Sequence, residues 1–177
     1  MRMADDGIET SGDLLRMAEV RLGSLSLRDV GALAISPDIG GHDFMDWYSG
    51  KNALPVIGWL GGNALRHFKI TIDYPNKISY WERQSALDPH DLDYIGLTLV
   101  FRRGEYFVGG IATRDNRPTV VGAQIGDKVV QIGALQTHGA SREAIFAAMH
   151  GKAGEMRSLV LEREGVRIQL QAPVTDF

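Results

Sequence analysis

Short runs of alternating apolar and polar residues occur along most of the chain, and this pattern predicts β-strands joined by tight turns. The 21 glycines support many such turns. The predicted hairpins of the first half pair Leu14–Val20 with Ser24–Ile35 and Lys69–Tyr74 with Ile78–Arg83. Between them, Ser36–Gly50 is rich in glycine and aspartate and predicts a long loop, whereas Asn63–Phe68 predicts a short helix.

The second half predicts a self-contained β unit with one helix. Its predicted strands are Tyr94–Phe101, Glu105–Ala112, Lys128–Ile132, Met156–Glu162 and Val166–Gln171. Ser141–His150 is the predicted helix, because Ser141 is a good N-cap and Gly151 follows the last turn. The polar segment Gln84–Asp93 predicts a linker. The expected fold is therefore mainly β with few short helices, divided into a unit over 1–83 and a unit over 94–174.

Composition excludes several classes of function. Lys and Arg total 19 against 22 Asp and Glu, which argues against a nucleic-acid partner. The chain has no cysteine, so disulfides, thiolate nucleophiles and zinc knuckles are ruled out. No apolar run is long enough to predict a membrane span. The glycine pairs lack the Lys-Ser/Thr of a P-loop, so no cofactor is predicted. His42, Asp43 and Asp46 offer metal-ligand side chains from one segment, but a solvated acidic loop is the preferred interpretation, and no metal site is predicted.

Three segments of the second unit carry a family resemblance. They are Tyr94-Ile95-Gly96-Leu97, the glycine-aspartate turn and strand over Gln124–Ile132, and the helix from Ser141 to Gly154 that an apolar strand follows. In this order they resemble a bacterial PDZ domain over about 80 residues. The resemblance implies that Tyr94–Leu97 is a carboxylate-binding loop, in which successive backbone N–H groups form a nest for an anionic chain end. It also implies that a peptide adds as an extra strand to the edge that follows.

The resemblance to PDZ domains implies a set of ligand residues and a class of partner, peptide or protein C-termini. The predicted peptide-binding residues are Tyr94, Ile95, Gly96, Leu97, Leu99, Arg142 and Met149. Leu97 and Leu99 would line the pocket for the last side chain of the peptide, and the helix would form the other wall of the groove. A core position for Met149, a solvated helix start for Arg142 and an ordinary strand entry for Tyr94–Leu97 remain as alternatives.

The first unit carries a different resemblance. Trp59-Leu60-Gly61-Gly62, a short helix and the strand Ile70-Thr71-Ile72-Asp73-Tyr74 resemble the C-terminal part of a retropepsin-like aspartic protease. The resemblance implies that the segment containing Ile57 and Trp59 forms one wall of the substrate cleft, and that Asp73 is structural. Gly7–Gly12 resembles the flap of that family, and Glu19–Leu33 resembles the strand pair after it.

The catalytic loop of that family does not occur in this sequence. Aspartic proteases pair two carboxylates around one water, each carboxylate from an Asp-Thr/Ser-Gly loop. Asp6-Gly7 is the nearest mimic, but it lacks the hydroxyl residue and a preceding apolar strand. No catalytic residue is therefore predicted. We expect a truncated fragment of a bacterial PDZ-containing aspartic peptidase, a hydrolase, cut between the catalytic loop and the flap and inactive alone.

Two alternatives stay open at the level of sequence. The chain could be a natural non-catalytic peptide-binding or scaffold protein whose protease half is degenerate, or a peptidase that a homodimer assembles around Asp6. An in-frame Asp-Thr/Ser-Gly segment upstream of Met1 would separate the first expectation from the scaffold protein. The family resemblance implies an exported or periplasmic location for the full-length parent.

Overall fold

The computed structural model describes residues 2–5, 8–35 and 41–177, and it is mainly β, as the sequence predicts. Three short helices occur among these residues: α1 (Gly41–Ser49), α2 (Gly62–Leu65) and α3 (Arg142–Met149). The strands are β1 (Arg2–Asp5), β2 (Ile8–Leu22), β3 (Leu25–Ile35), β4 (Phe68–Asp73), β5 (Ile78–Arg83), β6 (Tyr94–Ile95), β7 (Leu97–Arg102), β8 (Glu105–Ile111), β9 (Thr113–Arg114), β10 (Arg117–Pro118), β11 (Lys128–Ile132), β12 (Leu135–Gln136), β13 (Met156–Arg163) and β14 (Val166–Thr175). No helix in the described ranges is long and apolar enough to cross a membrane.

Two antiparallel sheets form the first unit. One has the strand order β1-β2-β3, and the other is the β4–β5 hairpin. The predicted first hairpin is confirmed, with a turn at Gly23 (φ 60°), although β2 begins earlier than the pattern indicated. Behind these strands lies a small core of Leu27, Val30, Ala64 and Phe68, and Trp81 meets the Phe68 ring edge-on at 5.6 Å between centroids.

The predicted loop over Ser36–Gly50 is wrong for the part that the structure describes, because residues 41–49 form α1. Residues 36–40 lie outside the described residues, as do Asp6 and Gly7 of the nearest catalytic mimic. The glycines and aspartates at the start of this segment hid a helical pattern, in which Met45 and Tyr48, three residues apart, are both partly buried. In place of the predicted helix Asn63–Phe68, the structure has the shorter helix α2, which begins one residue earlier; Phe68 already belongs to β4.

The second unit is built on a seven-stranded sheet. Six of its strands follow the order β6-β14-β13-β11-β8-β7, and the seventh, β12, pairs with β11. The predicted strand Tyr94–Phe101 divides at Gly96, because β6 pairs with β14 whereas β7 pairs with β8. The predicted cap of α3 is confirmed: the Ser141 side chain accepts a hydrogen bond from the Ala144 N–H at 3.2 Å. The core of this unit contains Ile95, Leu97, Tyr106, Val108, Val120, Val129, Ile132, Ile145, Met149, Leu159, Leu161, Ala172 and Val174.

The predicted linker, residues 84–93, has no helix or strand, yet it packs against both units. Leu87 lies against the core of the first unit. The Asp91 carboxylate accepts hydrogen bonds from Arg16 and from Asn63, each at 2.8 Å. Two residues later, Asp93 is buried, and its backbone oxygen accepts from the N–H of Gly151 after α3. The segment is thus a packed connection between two separate hydrophobic clusters.

Candidate peptide-binding site

The predicted carboxylate-binding loop lies where β6 ends and β7 begins. Ile95 and Leu97 are 0% and 2% exposed and point into the core, so they fix the backbone of the loop between them. The Gly96 carbonyl accepts a hydrogen bond from the N–H of Ala112 at 2.8 Å. Four of the predicted ligand residues, Tyr94 to Leu97, therefore form one rigid corner of the sheet.

Gly96 is required by packing inside the protein, which the sequence did not indicate. A Cβ added at this position would overlap the Thr119 hydroxyl and come within 3.0 Å of the Ala112 Cβ. Thr119 is held there because its amide and its hydroxyl both donate to the Ala112 carbonyl. A larger residue at Gly96 would therefore distort the loop even without a ligand.

Strand β7 stands at one end of the seven-stranded sheet, with β8 as its neighbour. Its other edge is the position at which an extended peptide would add as a strand, directly after the loop. Strand β1 also approaches β7 and β8, but it is paired with β2 in a separate sheet. Leu99 keeps partial exposure while it packs on the core, so of the predicted pocket residues it is the one that offers surface to a ligand.

A β-bulge interrupts the pairing of β7 with β8 between Thr98 and Leu99. At this point the Thr98 hydroxyl oxygen is buried without a hydrogen-bond partner in the described part of the chain. Because a bulge bends its strand and re-aims side chains, it sets the direction of the β7 edge just after the loop.

Helix α3 separates the two predicted residues that it carries. Met149 is 4% exposed and belongs to the core together with Ile145, so in this structure it is a packing residue and presents no surface to a ligand. Arg142 lies at the opposite end of the helix, about 10 Å along the axis. It is exposed, with its guanidinium 5.6 Å from the centre of the Phe146 ring. The helix packs on β11 and β12.

Phe146 is an exposed aromatic residue that the sequence reasoning missed. Its side chain is 50% exposed, one turn after Arg142 on the same side of α3. The spacing of four residues between an arginine and an aromatic residue was the available signal. The exposed side of α3 therefore carries an aromatic ring, that of Phe146, beside the positive charge of Arg142.

The C-terminal end of α3 does reach the loop. His150, just after the helix, forms a backbone bridge with Tyr94, and their rings lie 5.8 Å apart. Burial raises the pKa of the Tyr94 phenol to about 12. Burial, and then the charge of Arg66, lower the pKa of His150, so its neutral form is favoured at this position.

The predicted wall of the substrate cleft belongs to the other half of the chain. Ile57 is 94% exposed and Trp59 is 50% exposed, in the irregular segment between α1 and α2. The Ser49 hydroxyl accepts from the Val56 N–H at 2.8 Å, and the Tyr48 ring meets Trp59 edge-on at 5.8 Å. These contacts tie the segment to the end of α1 and leave Ile57 projecting into solvent.

The described residues contain no group of three ligand side chains that could hold a metal ion. His42, Asp43 and Asp46 lie on α1 rather than on a loop. The chain matches no protein-family model, and a search of the curated proteins gives no match.

Proposed function

We propose that the unit over 94–174 binds extended peptides through a free C-terminal carboxylate, in a chain whose first unit is the C-terminal part of a retropepsin-like aspartic protease. The observation that carries the proposal is the edge position of β7 immediately after the buried corner Tyr94–Leu97. The sequence contains no Asp-Thr/Ser-Gly loop, so peptide binding, not hydrolysis, is the activity proposed for this chain.

Backbone geometry supports strand addition. An edge strand exposes a row of N–H and C=O groups, which an incoming peptide pairs without any requirement on its own side chains. Specificity then comes from the carboxylate at Tyr94–Leu97 and from the last side chain of the peptide. Because Leu97 and Met149 are buried, we assign the contact with that side chain to Leu99.

The expected affinity is modest, since a single groove of this size holds only a few residues of a peptide. A dissociation constant on the order of micromolar corresponds to about 8 kcal/mol. Amidation of the peptide removes the negative charge and should weaken binding by roughly 1.5–3 kcal/mol, the contribution of a charge-assisted hydrogen bond.

Fluorescence polarisation with labelled peptides that end in Val, Leu or Phe tests the proposal, with free acids compared with their amides. The variant Leu99→Asp should weaken binding of the free acids at least tenfold, because it places a carboxylate beside the carboxylate of the peptide. Val121→Asp is the matched control, since Val121 is 75% exposed on the same unit and has no role in the proposed groove. Equal affinities for acids and amides would show that a terminal carboxylate is not recognised.

A further inference from the structure

The ring of Phe177 lies against the proposed carboxylate-binding loop. It is 5.3 Å from the Tyr94 ring between centroids. Its Cζ atom is 3.1 Å from the position that a Cβ on Gly96 would take. Phe177 is itself partly buried by these contacts. An apolar side chain of this chain therefore already covers the part of the loop next to Gly96.

Arg114 fixes the residue before Phe177. Its guanidinium donates to the Asp176 backbone carbonyl, lies 3.4 Å from the Asp176 Oδ1 atom and sits 5.9 Å from the centre of the Phe177 ring. Arg114 belongs to the β9–β10 hairpin, which Thr119 anchors to the same corner of the sheet. The hairpin and the loop thus enclose the segment Asp176–Phe177 from two sides.

We propose that the segment Asp176–Phe177 is an internal competitor that covers the carboxylate-binding loop, and that Arg114 holds it in place; this rests on the proposed function. The segment places an aromatic side chain against Tyr94 and Gly96, and the Asp176 side-chain carboxylate lies beside the Arg114 guanidinium. A peptide end must displace the Phe177 ring in order to take its place beside Tyr94 and Gly96. The apparent affinity for peptides is then lower than the intrinsic affinity by the fraction of molecules in which the loop is open.

The holding contacts are weak enough to be displaced. The Arg114 and Asp176 side chains are 54% and 72% exposed, so water and salt screen their attraction. We therefore expect the cover to lower peptide affinity by a factor on the order of five to ten rather than to abolish binding. Raised salt should weaken the cover because it weakens this ion pair.

Two substitutions separate the cover from the ligand site. Phe177→Ala removes the covering ring and should strengthen the binding of free-acid peptides about five- to tenfold, measured by fluorescence polarisation. Arg114→Gln should strengthen it in the same direction, because the segment loses its anchor. Arg117→Gln is the matched control, since Arg117 is an exposed arginine on the same hairpin, and it should leave the affinity unchanged. Thermal melting checks that each variant is folded.

A measurement without peptide keeps the two proposals distinguishable. In NMR spectra of the full chain, the Phe177 ring should show nuclear Overhauser contacts with Gly96 and Tyr94, and these should weaken in Arg114→Gln. Unchanged affinity in Phe177→Ala, or weaker binding in Arg114→Gln, overturns the internal competitor while the peptide site stands. Absence of peptide binding in every variant overturns both proposals, whatever the spectra show.

Discussion

Asp127 is the charged residue that the structure encloses most completely, and its removal is a sharp test of the second unit. Its side chain is 1% exposed and accepts three hydrogen bonds. Two come from Arg163, at 2.7 and 2.9 Å, and the third comes from the Gln124 N–H at 2.8 Å. The pair therefore joins the turn before β11 to the end of β13.

The expected cost of Asp127→Ala follows from these contacts. Breaking a fully buried ion pair by removing one partner costs about 3–5 kcal/mol. Arg163 is 31% exposed and also donates to the Gly122 carbonyl, so its charge regains part of its hydration in the variant. We expect a loss of about 2–3 kcal/mol in the free energy of unfolding, or roughly 5–10 °C in melting temperature.

Urea unfolding followed by circular dichroism measures this loss. The double variant Asp127→Ala with Arg163→Gln should lose less stability than the sum of the single variants, because each removes the same interaction. Arg167→Gln, an exposed arginine on the neighbouring strand β14, is the control for charge. A loss below about 0.5 kcal/mol, the level of an ordinary surface change, would refute the reasoning.

The acid dependence of stability gives a second readout of the same contact. The hydrogen bond from Arg163 lowers the pKa of the Asp127 carboxyl below its usual value. In acid the unfolded chain therefore binds more protons than the folded chain. The stability that Asp127 contributes is present above about pH 4 and is lost as the pH falls below that value. Asp127→Asn should remove this part of the acid dependence, which unfolding at a series of pH values would detect.

Three further outcomes are expected. Asp91→Ala should lower the free energy of unfolding by about 2 kcal/mol, because Arg16 and Asn63 both lose a nearly buried acceptor, although Arg16 keeps its hydrogen bond to the Asp29 carbonyl. Asp88→Ala at an exposed ion pair should change the stability little, and equal melting temperatures for the two variants would contradict this. Burial lowers the pKa of His150, so the unfolded chain binds the proton more readily than the folded chain. The free energy of unfolding should therefore fall as the pH drops below about 6.5. Urea unfolding at several pH values should show a weaker dependence on pH for His150→Gln. The purified chain should not cleave casein at any pH, and pepstatin-sensitive cleavage that Asp6→Asn abolishes would overturn that expectation.

Local signals in the sequence determined most strand and helix positions of this protein. Ile78–Arg83 and Lys128–Ile132 have the bounds that alternation and flanking turns predicted. Ser141 caps α3 as predicted, since a hydroxyl before a helix needs only its own backbone as partner. The turn formers at the start of segment 41–49 predict a loop, but the segment forms α1, in which Met45 and Tyr48 are partly buried.

Only the tertiary structure decided which side chains face the candidate site. The period of α3 places Arg142 and Met149 on similar sides, but packing on the sheet buries Met149 and leaves Arg142 in solvent. The need for glycine at position 96 comes from Thr119, and the Phe177 ring lies on the same side of Gly96. Both lie far from Gly96 along the chain, and residue periodicity carries no information on contacts between distant segments. The sequence therefore determines most of the elements, whereas sheet order and packing decide which surface a ligand can reach.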